Sequence, residues 1–290
     1  MIRVAAFIVA VLLLAALFGA RSADPSVADP VRLARLTRVA FDQAAAADAA
    51  LAAAETLMRD ATVQARHGQA AILTGTDDPA AAMNVAAEGF EAAAAPVAEA
   101  RAALDILGWT LRAADTAADP PSLTVGEADL VAVGEQWRAS VPPGSALADQ
   151  RRDAEAVLES LGDALAALEA DDLDGARQAL DLAEESLAQL SEADADLSTL
   201  GYWVDTVEAL IEATRDITES TQSGDAAALA AAEAAFDAAA ADASRADQAL
   251  TIALGEAASR ITGPASASSA AALRAVVSAR DQLARLSILR

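Results

Sequence analysis

Alanine content is the feature of this sequence that most constrains its fold. Alanine occupies 85 of the 290 positions, whereas phenylalanine, tryptophan and tyrosine together occupy nine. Alanine has the highest intrinsic helix propensity of any residue, and strands are enriched instead in β-branched and aromatic residues. A buried alanine also removes far less apolar surface from water than a buried leucine does, which makes the core thin. The composition therefore predicts an all-α protein whose helices are long and lie unusually close together.

Helix start and stop signals divide the chain into about seven helices. Asp29-Pro30 and Asp78-Pro79 each place an aspartate N-cap before a proline at the first helical position. Thr124-x-x-Glu127 has the form of a capping box. We expect long antiparallel helices in one or two bundles. The signals, with apolar residues at spacings of three and four, predict helices over 30–68, 79–117, 125–137, 147–170, 173–219, 225–261 and 268–289.

A cluster of proline and glycine marks the clearest boundary in the chain. Residues 141–146 read Val-Pro-Pro-Gly-Ser-Ala, between two helical patterns. Such a cluster predicts a linker or hinge, because proline and glycine both disfavour a continuous helix. It would separate an N-terminal helical bundle, residues 24–140, from a C-terminal helical bundle, residues 147–290.

The two halves show a weak internal match. At an offset of 146 residues, the second helix overlays the penultimate helix and pairs Phe90 with Phe236 and Leu104 with Leu250. Most of the other matches are alanines, which two alanine-rich helices share by chance. An internal duplication and a chance match both remain open.

The N-terminus carries an export signal. After Arg3, residues 4–20 form a 17-residue block without a charge, whereas a membrane-spanning helix needs roughly 20 apolar residues. Ala20 and Ser22 place small residues where a signal peptidase cleaves. Residues 1–23 are therefore either a cleaved signal peptide or an N-terminal membrane anchor. Both alternatives predict an extracytoplasmic protein, either secreted or anchored to the membrane only through residues 4–20.

The charge composition excludes nucleic acid as a partner. All 20 basic residues are arginine and face 44 carboxylates, which gives a net charge of −24. Phosphate backbones repel such a surface, and proteins that bind them carry basic patches. The composition fits a GC-rich genome, where it has no functional meaning, and it also fits adaptation to high salt.

The sequence lacks the residues of common catalytic sites, and it predicts no catalytic residue, cofactor or metal site. It has no cysteine and a single histidine, His67. A lone histidine cannot build a histidine-pair metal site, and we interpret His67 as a cation at the end of the first helix, where the helix dipole favours it. The remaining enzyme hypothesis, a carboxylate-only hydrolase, is disfavoured because such enzymes usually line their clefts with aromatic residues.

An acidic stretch between the fourth and fifth predicted helices, Asp171-Asp172-Leu173-Asp174-Gly175, has two interpretations. It matches the middle of a calcium loop, but the first position would be Ala170 and the twelfth Asp181 rather than glutamate. The alternative, which we prefer, is an acidic turn in which Asp172 or Asp174 caps the next helix.

The sequence around this turn resembles a known helical repeat. Residues 167–180 read Ala-Leu-Glu-Ala-Asp-Asp-Leu-Asp-Gly-Ala-Arg-Gln-Ala-Leu, which looks like the helix-turn-helix of tetratricopeptide-type repeats. The resemblance covers about 20 residues, and the 34-residue period of that family does not recur. It implies a pair of antiparallel helices at this place.

The few large aromatic residues are the candidate anchors for a ligand or a partner. We expect most of them to fill gaps between alanine faces, although a cluster around one hollow would mark a small-molecule site. The candidates are Trp109, Trp137, Tyr202 and Trp203.

Arginines follow one face at the start of the first long helix. Arg32, Arg35 and Arg38 are three residues apart and lie about ten residues after the apolar block. If that block is an anchor, this membrane-proximal basic stripe could contact anionic head groups. Pairing with the many carboxylates of the chain is the alternative that the sequence favours.

Two functional hypotheses follow from these features. The first is a non-enzymatic structural or protein-interaction module of the cell envelope, with a protein partner that the sequence does not identify. The second is an extracytoplasmic module, for ligand binding or sensing, that holds a small molecule between its helices. A closed core with an exposed apolar seam favours the first, and a cavity beside a tryptophan favours the second.

Overall fold

The described residues of the chain are almost entirely helical. A computed structural model describes residues 30–114, 119–192 and 198–286, and these contain no strand. The helices are α1 Pro30–Thr74, α2 Pro79–Ala92, α3 Ala94–Ala113, α4 Glu127–Glu169, α5 Leu173–Glu192, α6 Ser198–Ser223 and α7 Ala226–Leu286. The predicted all-α architecture of long helices packed as a bundle is confirmed. Since Ala93 alone separates α2 from α3, counting them as one gives six helices where about seven were predicted.

The chain folds into two compact units, and both are discontinuous in sequence. Within the described residues, unit 1 comprises 30–66, 82–114, 119–139 and 264–286, and unit 2 comprises 67–81, 140–192 and 198–263. Helices α1, α2, α4 and α7 contribute residues to both units. Each unit therefore draws on chain from both sides of residues 141–146.

Unit 1 is built around a few large side chains set among alanines. Leu51 and Met58 of α1, Phe90 of α2 and Trp137 of α4 are all at most 1% exposed. Among the described residues of both units, about half of the buried apolar residues are alanines, as the composition predicts. The helices consequently come very close: a Cβ built on Gly89 would lie 2.8 Å from the Cβ of Ala61.

An extended segment completes the core of unit 1 before α4 begins. Pro121, Leu123 and Val125 are buried, whereas Ser122 and Thr124 between them are exposed, which is the alternation of an extended chain. The helix begins at Glu127, and the carboxylate of Asp129 accepts a hydrogen bond from the backbone N–H of Gly126. The capping box predicted from Thr124 is therefore wrong, because packing of Val125 in the core keeps this segment out of the helix.

Unit 2 contains the antiparallel pair α5 and α6, which pack against each other. Its fully buried large side chains include Leu180 and Leu190 of α5, Trp203 and Ile211 of α6, and Leu250 of α7. In each of these helices the buried residues lie on one face, and exposed residues lie on the other. In α5 and α6, where leucine or isoleucine recurs among the alanines, the apolar periodicity predicts which face is buried.

Two predicted helix breaks do not form. Pro142 and Pro143 lie inside α4, and Pro264 lies inside α7. All three prolines are exposed, so their rings project from the side of the helix that faces solvent. The helical continuity across 141–146 and across Gly263-Pro264 corrects the local prediction at both places.

The predicted caps at α2 and α5 are confirmed. Asp78 Oδ1 accepts a hydrogen bond of 2.8 Å from the N–H of Ala80, directly after Pro79 starts α2. Asp172 Oδ1 accepts one of 2.9 Å from the N–H of Gly175. The acidic stretch is therefore a helix cap, as preferred over a calcium loop.

The turn between α4 and α5 has a regular C-terminal geometry. Asp171 adopts a positive φ of 64°, the N–H of Asp172 donates to the carbonyl of Ala167, and the N–H of Asp171 donates to Leu168. These two bonds define a Schellman motif, which ends α4 and reverses the chain. The helix-turn-helix order implied by the tetratricopeptide resemblance is present at this place, where the turn joins α4 to α5.

The first helix is longer than predicted. Helix α1 continues past His67 and Gly68 to Thr74, so His67 lies inside the helix and is exposed. Its predicted role at a helix C-terminus is wrong. The helix ends instead before Gly75, whose φ of 65° favours glycine.

None of the described helices contains an apolar stretch long enough to cross a membrane. The predicted signal peptide or anchor, residues 1–23, lies outside the described residues.

Candidate functional site

The four candidate aromatic anchors fall into two classes of exposure. Trp137 is 1% exposed and Trp203 is 0% exposed, so both are core side chains. Trp109 is 61% exposed and Tyr202 is 49% exposed. Trp109 and Trp137 belong to unit 1, whereas Tyr202 and Trp203 belong to unit 2. The four therefore do not meet within one unit around a common hollow.

Trp109 shares an exposed apolar surface on α3 with Ile106. Ile106 is 44% exposed and lies three residues before Trp109, on the same side of the helix. Asp105 and Arg112 flank the pair and are exposed. We call Ile106 and Trp109 with these two flanking residues the α3 surface.

The opposite face of α3 holds this surface in place. Leu104 is 5% exposed, Leu107 is 3% exposed and Thr110 is 1% exposed. Gly108 is packed against the loop after α3, since a Cβ built there would lie 3.0 Å from Cγ of Pro120. Because the inner face is buried and the helix is covered on that side, the outer face is presented on a rigid element.

A shallow groove lies between the start of α4 and α7 in unit 1. It has a volume of about 390 Å³ and its floor is formed by small apolar side chains, including Ala132, Ala272 and Ala275. Asp129 and Gln136 supply polar groups at its edge. None of the four candidate aromatic residues lines it.

Trp137 nevertheless lies next to this groove along the chain. Its neighbour Gln136 lines the groove, and so does Ser268. The indole Nε1 of Trp137 donates a buried hydrogen bond of 2.9 Å to Oγ of Ser269. Because residues adjacent to Trp137 and Ser269 line the groove, a molecule bound there would alter the environment of the Trp137 indole.

A second groove follows the last turns of α7. Its volume is about 540 Å³, and Leu273 and Val277 form its apolar part. Arg274, Asp281 and Arg285 surround them with charges. All the residues that line it come from one helix, so it is a furrow along the helix surface.

Arginine pairs connect the helices of unit 1. Arg280 of α7 donates from Nε to Asp48 at 3.0 Å and from Nη1 to Glu55 at 2.9 Å, both on α1. Arg138 of α4 binds both carboxylate oxygens of Glu91 on α2. The hydrogen bond from Arg280 holds the pKa of Glu55 below its ordinary value, and the one from Arg138 does the same for Glu91.

These shifts have a chemical consequence. A general acid at neutral pH needs a carboxyl group whose pKa is raised, usually by burial away from cations. The pKa shifts of Glu55 and Glu91 run in the other direction, so both groups are ionised partners in structural pairs.

Unit 2 contains buried polar atoms without a hydrogen-bond partner among the described residues. They include Nε1 of Trp203, Nη1 of Arg151 and Oδ1 of Asp247. Arg151 Nη1 and Asp247 Oδ1 form an ion pair at 3.8 Å, which is beyond hydrogen-bond distance.

The predicted basic stripe is exposed. Arg32, Arg35 and Arg38 all lie on the surface of α1, and none of them forms an ion pair with a carboxylate in the described parts of the chain. The pairing that the sequence favours is therefore absent from this region. Val31, 57% exposed, and Val39, 40% exposed, accompany the arginines.

The sequence did not identify the groove beside α4 or the exposed Ile106. Residues such as Ala132 and Ala272 carry no distinctive signal in a chain with 85 alanines. The position of Ile106 three residues before Trp109 was the one visible sign of the α3 surface. Within ranges 30–114, 119–192 and 198–286, no three His, Asp or Glu side chains are arranged to hold a metal ion.

Comparison with known proteins found no matching family model, curated protein or solved structure.

Proposed function

We propose that this chain is a non-enzymatic, extracytoplasmic protein-interaction module that binds a protein partner through the α3 surface. The observation that carries the proposal is the exposure of Trp109, at 61%, beside Ile106, at 44%. The other two tryptophans of the chain are at most 1% exposed. In a protein with so few aromatic residues, placing one of them in solvent is costly unless another surface covers it.

The composition of the α3 surface fits a protein partner. Tryptophan is enriched among the residues that contribute most to binding, and such residues lie inside a ring of polar neighbours. Asp105 and Arg112 supply opposite charges on either side of the apolar pair. The partner that fits this surface has an apolar cleft for an indole, bordered by charges of complementary sign.

The non-enzymatic part of the proposal rests on the available chemistry. The chain has no cysteine and one histidine, which lies exposed on α1. The carboxylates Glu55 and Glu91 have lowered pKa values and are bound to arginines. These groups support the structure of unit 1 and lack the features of an acid-base pair.

The extracytoplasmic location rests on the apolar block at residues 4–20 behind Arg3. Fusion of residues 1–30 to a reporter enzyme that is active only after export tests it directly. We expect activity from this fusion and none when the fusion begins at residue 24. N-terminal sequencing of the exported chain then distinguishes a cleaved signal peptide from an anchor. An inactive fusion of residues 1–30 would contradict the location.

A photo-cross-linking experiment tests the partner. A photoreactive amino acid is placed at Asp105 or Arg112 of the full chain in the cells that naturally produce it. We expect a discrete adduct from both positions, and we expect Trp109→Ala to abolish it. The same label at Glu256 serves as the control position, and Ile252→Ala as the control variant, since Ile252 is an exposed aliphatic residue on α7 with 64% exposure.

Three results would contradict this proposal. An adduct that persists with Trp109→Ala would show that the surface does not depend on the indole. Adducts of equal yield from Glu256 would indicate nonspecific contact. An adduct of twice the mass of the chain would show that the partner is a second copy of this chain and not another protein.

The groove of about 390 Å³ between α4 and α7 favours a second candidate, binding of a small molecule. Trp137 reports on it because its indole is bonded to Ser269, next to the groove residue Ser268. In a metabolite screen, a ligand in the groove would shift the tryptophan emission, and Trp137→Phe would remove that shift. Emission that stays constant with every compound would count against this candidate.

A further inference from the structure

The first three turns of α1 present a face that differs from the rest of this acidic chain. Residues 30–41 contain three arginines and no carboxylate, although carboxylates outnumber arginines by 44 to 20 overall. At about 100° per residue, Val31, Arg32, Arg35, Arg38 and Val39 project within an arc of roughly 120°. All five are exposed. We call these five residues the α1 face.

The other side of these turns packs toward unit 1. Leu33 and Leu36 are partly buried and Ala40 is 9% exposed. The α1 face is therefore the outer side of a helix whose inner side is already engaged. Within the described residues, none of its three arginines lies within ion-pair distance of a carboxylate.

We infer that the α1 face docks on an anionic phospholipid surface. The alternation of arginine with exposed valine matches a bilayer interface, where cations meet head groups and short apolar side chains reach the acyl boundary. The negative charge of the chain as a whole repels such a surface, which restricts contact to this face. Binding of nucleic acid or of another polyanion would be opposed by the same repulsion without the apolar contribution.

The position of the α1 face in the chain supports this occupant. The apolar block ends at residue 20, and ten residues separate it from Val31. A chain of ten residues spans at most about 36 Å when fully extended. If residues 4–20 are an uncleaved membrane anchor, the α1 face is tethered within reach of the head groups of the same bilayer.

The absence of cysteine from the sequence makes a site-specific test simple. The full chain carrying Val39→Cys is labelled with a fluorophore sensitive to polarity and is reconstituted in vesicles. One set of vesicles is purely phosphatidylcholine, and the other contains phosphatidylglycerol as about a third of its lipid. Ile252→Cys, on unit 2, is the labelled control. Since both vesicle types accept the N-terminal segment, the comparison reports the α1 face and does not require the location to be correct.

We expect the label at residue 39 to shift to shorter wavelength in the anionic vesicles only, and to be quenched there by lipids that carry a quencher near the head group. The shift should disappear at high salt, because screening removes the attraction. Replacing Arg32, Arg35 and Arg38 by glutamine should abolish the shift in the labelled full chain. In a chain that lacks the apolar block, the same three substitutions should lower the affinity for anionic lipid by about a hundredfold. Glutamine at Arg59, Arg177 and Arg245 should leave the shift unchanged, since these three arginines lie outside the α1 face.

Three outcomes would overturn the inference. The signal could be equal in both vesicle types, it could survive the three substitutions on α1, or Ile252→Cys could respond as strongly as Val39→Cys. Far-ultraviolet circular dichroism of each variant shows whether the helices remain formed, and Arg35→Gln alone, with an expected loss of about fivefold, gives a milder version of the same test.

Discussion

At the scale of single residues, the thin alanine core makes the spacing between helices sensitive to one methyl group. Gly89 of α2 faces Ala61 of α1, and a Cβ at position 89 would lie 2.8 Å from the Cβ of Ala61 and 3.4 Å from its Cα. Gly255 of α7 has no neighbour within 4 Å of a built Cβ. Both glycines lie inside helices, but only Gly89 has a side chain of another helix within contact distance of a built Cβ.

We expect Gly89→Ala to lower the free energy of unfolding and Gly255→Ala to raise it. Alanine improves helix propensity by about 1 kcal/mol at either site, but overpacking against Ala61 costs about 1–3 kcal/mol at position 89. Denaturant unfolding of both variants measures the difference. Equal stabilisation by the two substitutions would mean that α1 and α2 separate easily.

Glu55 gives a prediction about pH. Its pKa is lowered from 4.5, chiefly by the hydrogen bond from Arg280. Because the pKa is lower in the folded state, the contribution of Glu55 to stability is fully present above about pH 4.5 and is lost as the pH falls through the folded value. Relative to the wild-type chain, Glu55→Gln should lose about 1–3 kcal/mol at neutral pH, and this difference should shrink on acidification.

The control for this prediction is Glu99→Gln. Glu99 is exposed and has no ion pair among the described residues, so its replacement removes the same charge without removing an interhelical bond. Thermal unfolding followed at several pH values measures both variants. A difference between wild type and Glu55→Gln that stays constant between neutral and acidic pH would contradict the assigned pairing with Arg280.

At the scale of elements, three prolines lie inside long helices without ending them. A proline in a helix interior costs about 3 kcal/mol relative to alanine, because it removes one hydrogen bond and crowds the preceding turn. Pro264 leaves the carbonyl of Arg260 without its helical donor. Next to it, Oγ of Ser140 on α4 donates to the carbonyl of Ile261. Helical packing on both sides of the proline therefore outweighs the local cost.

We expect Pro264→Ala to raise the free energy of unfolding by about 1–3 kcal/mol, since it restores the missing hydrogen bond. The proline is exposed, so little packing is lost. Pro79→Ala is the matched control: Pro79 is the first residue of α2, where the N–H has no helical acceptor and proline is well tolerated. A loss of stability in Pro264→Ala would indicate that the bend itself is required.

At the scale of the whole molecule, the two units differ sharply in charge. Within the described residues, unit 1 carries 13 carboxylates and 11 arginines, whereas unit 2 carries 26 carboxylates and six arginines. Nearly all of the excess negative charge therefore belongs to unit 2. Like charges at this density oppose the compact state, and salt reduces the opposition.

We expect added salt to stabilise unit 2 more than unit 1. The Debye length falls from about 30 Å at 0.01 M to about 8 Å at 0.15 M ionic strength, and amide hydrogen exchange in α5 and α6 should slow over this range. Exchange in α2 and α3 of unit 1 should change much less. Equal slowing in both units would contradict the prediction, and a flat response in both would also argue against adaptation to high salt.

Much of the fold followed from local signals in the sequence. The caps at Asp78 and Asp172 set the starts of α2 and α5, and alanine composition set the helical class and the close packing. These features depend on interactions between residues that are close in sequence, so local sequence patterns are enough to predict them. The candidate site was less predictable: Trp109 and Trp137 have similar helical surroundings in sequence, yet one is 61% exposed and the other 1% exposed.

The sequence by itself determined the helical class, the capped starts of α2 and α5, the acidic composition and the basic stripe at Arg32, Arg35 and Arg38. Only the tertiary structure decided that α4 and α7 continue through their prolines, that the chain divides into two discontinuous units, and that Trp109 faces solvent. The physical reason is the same in each case. When alanine covers most faces of a helix, the local pattern does not specify which face another helix will bury, and packing between distant segments makes that choice.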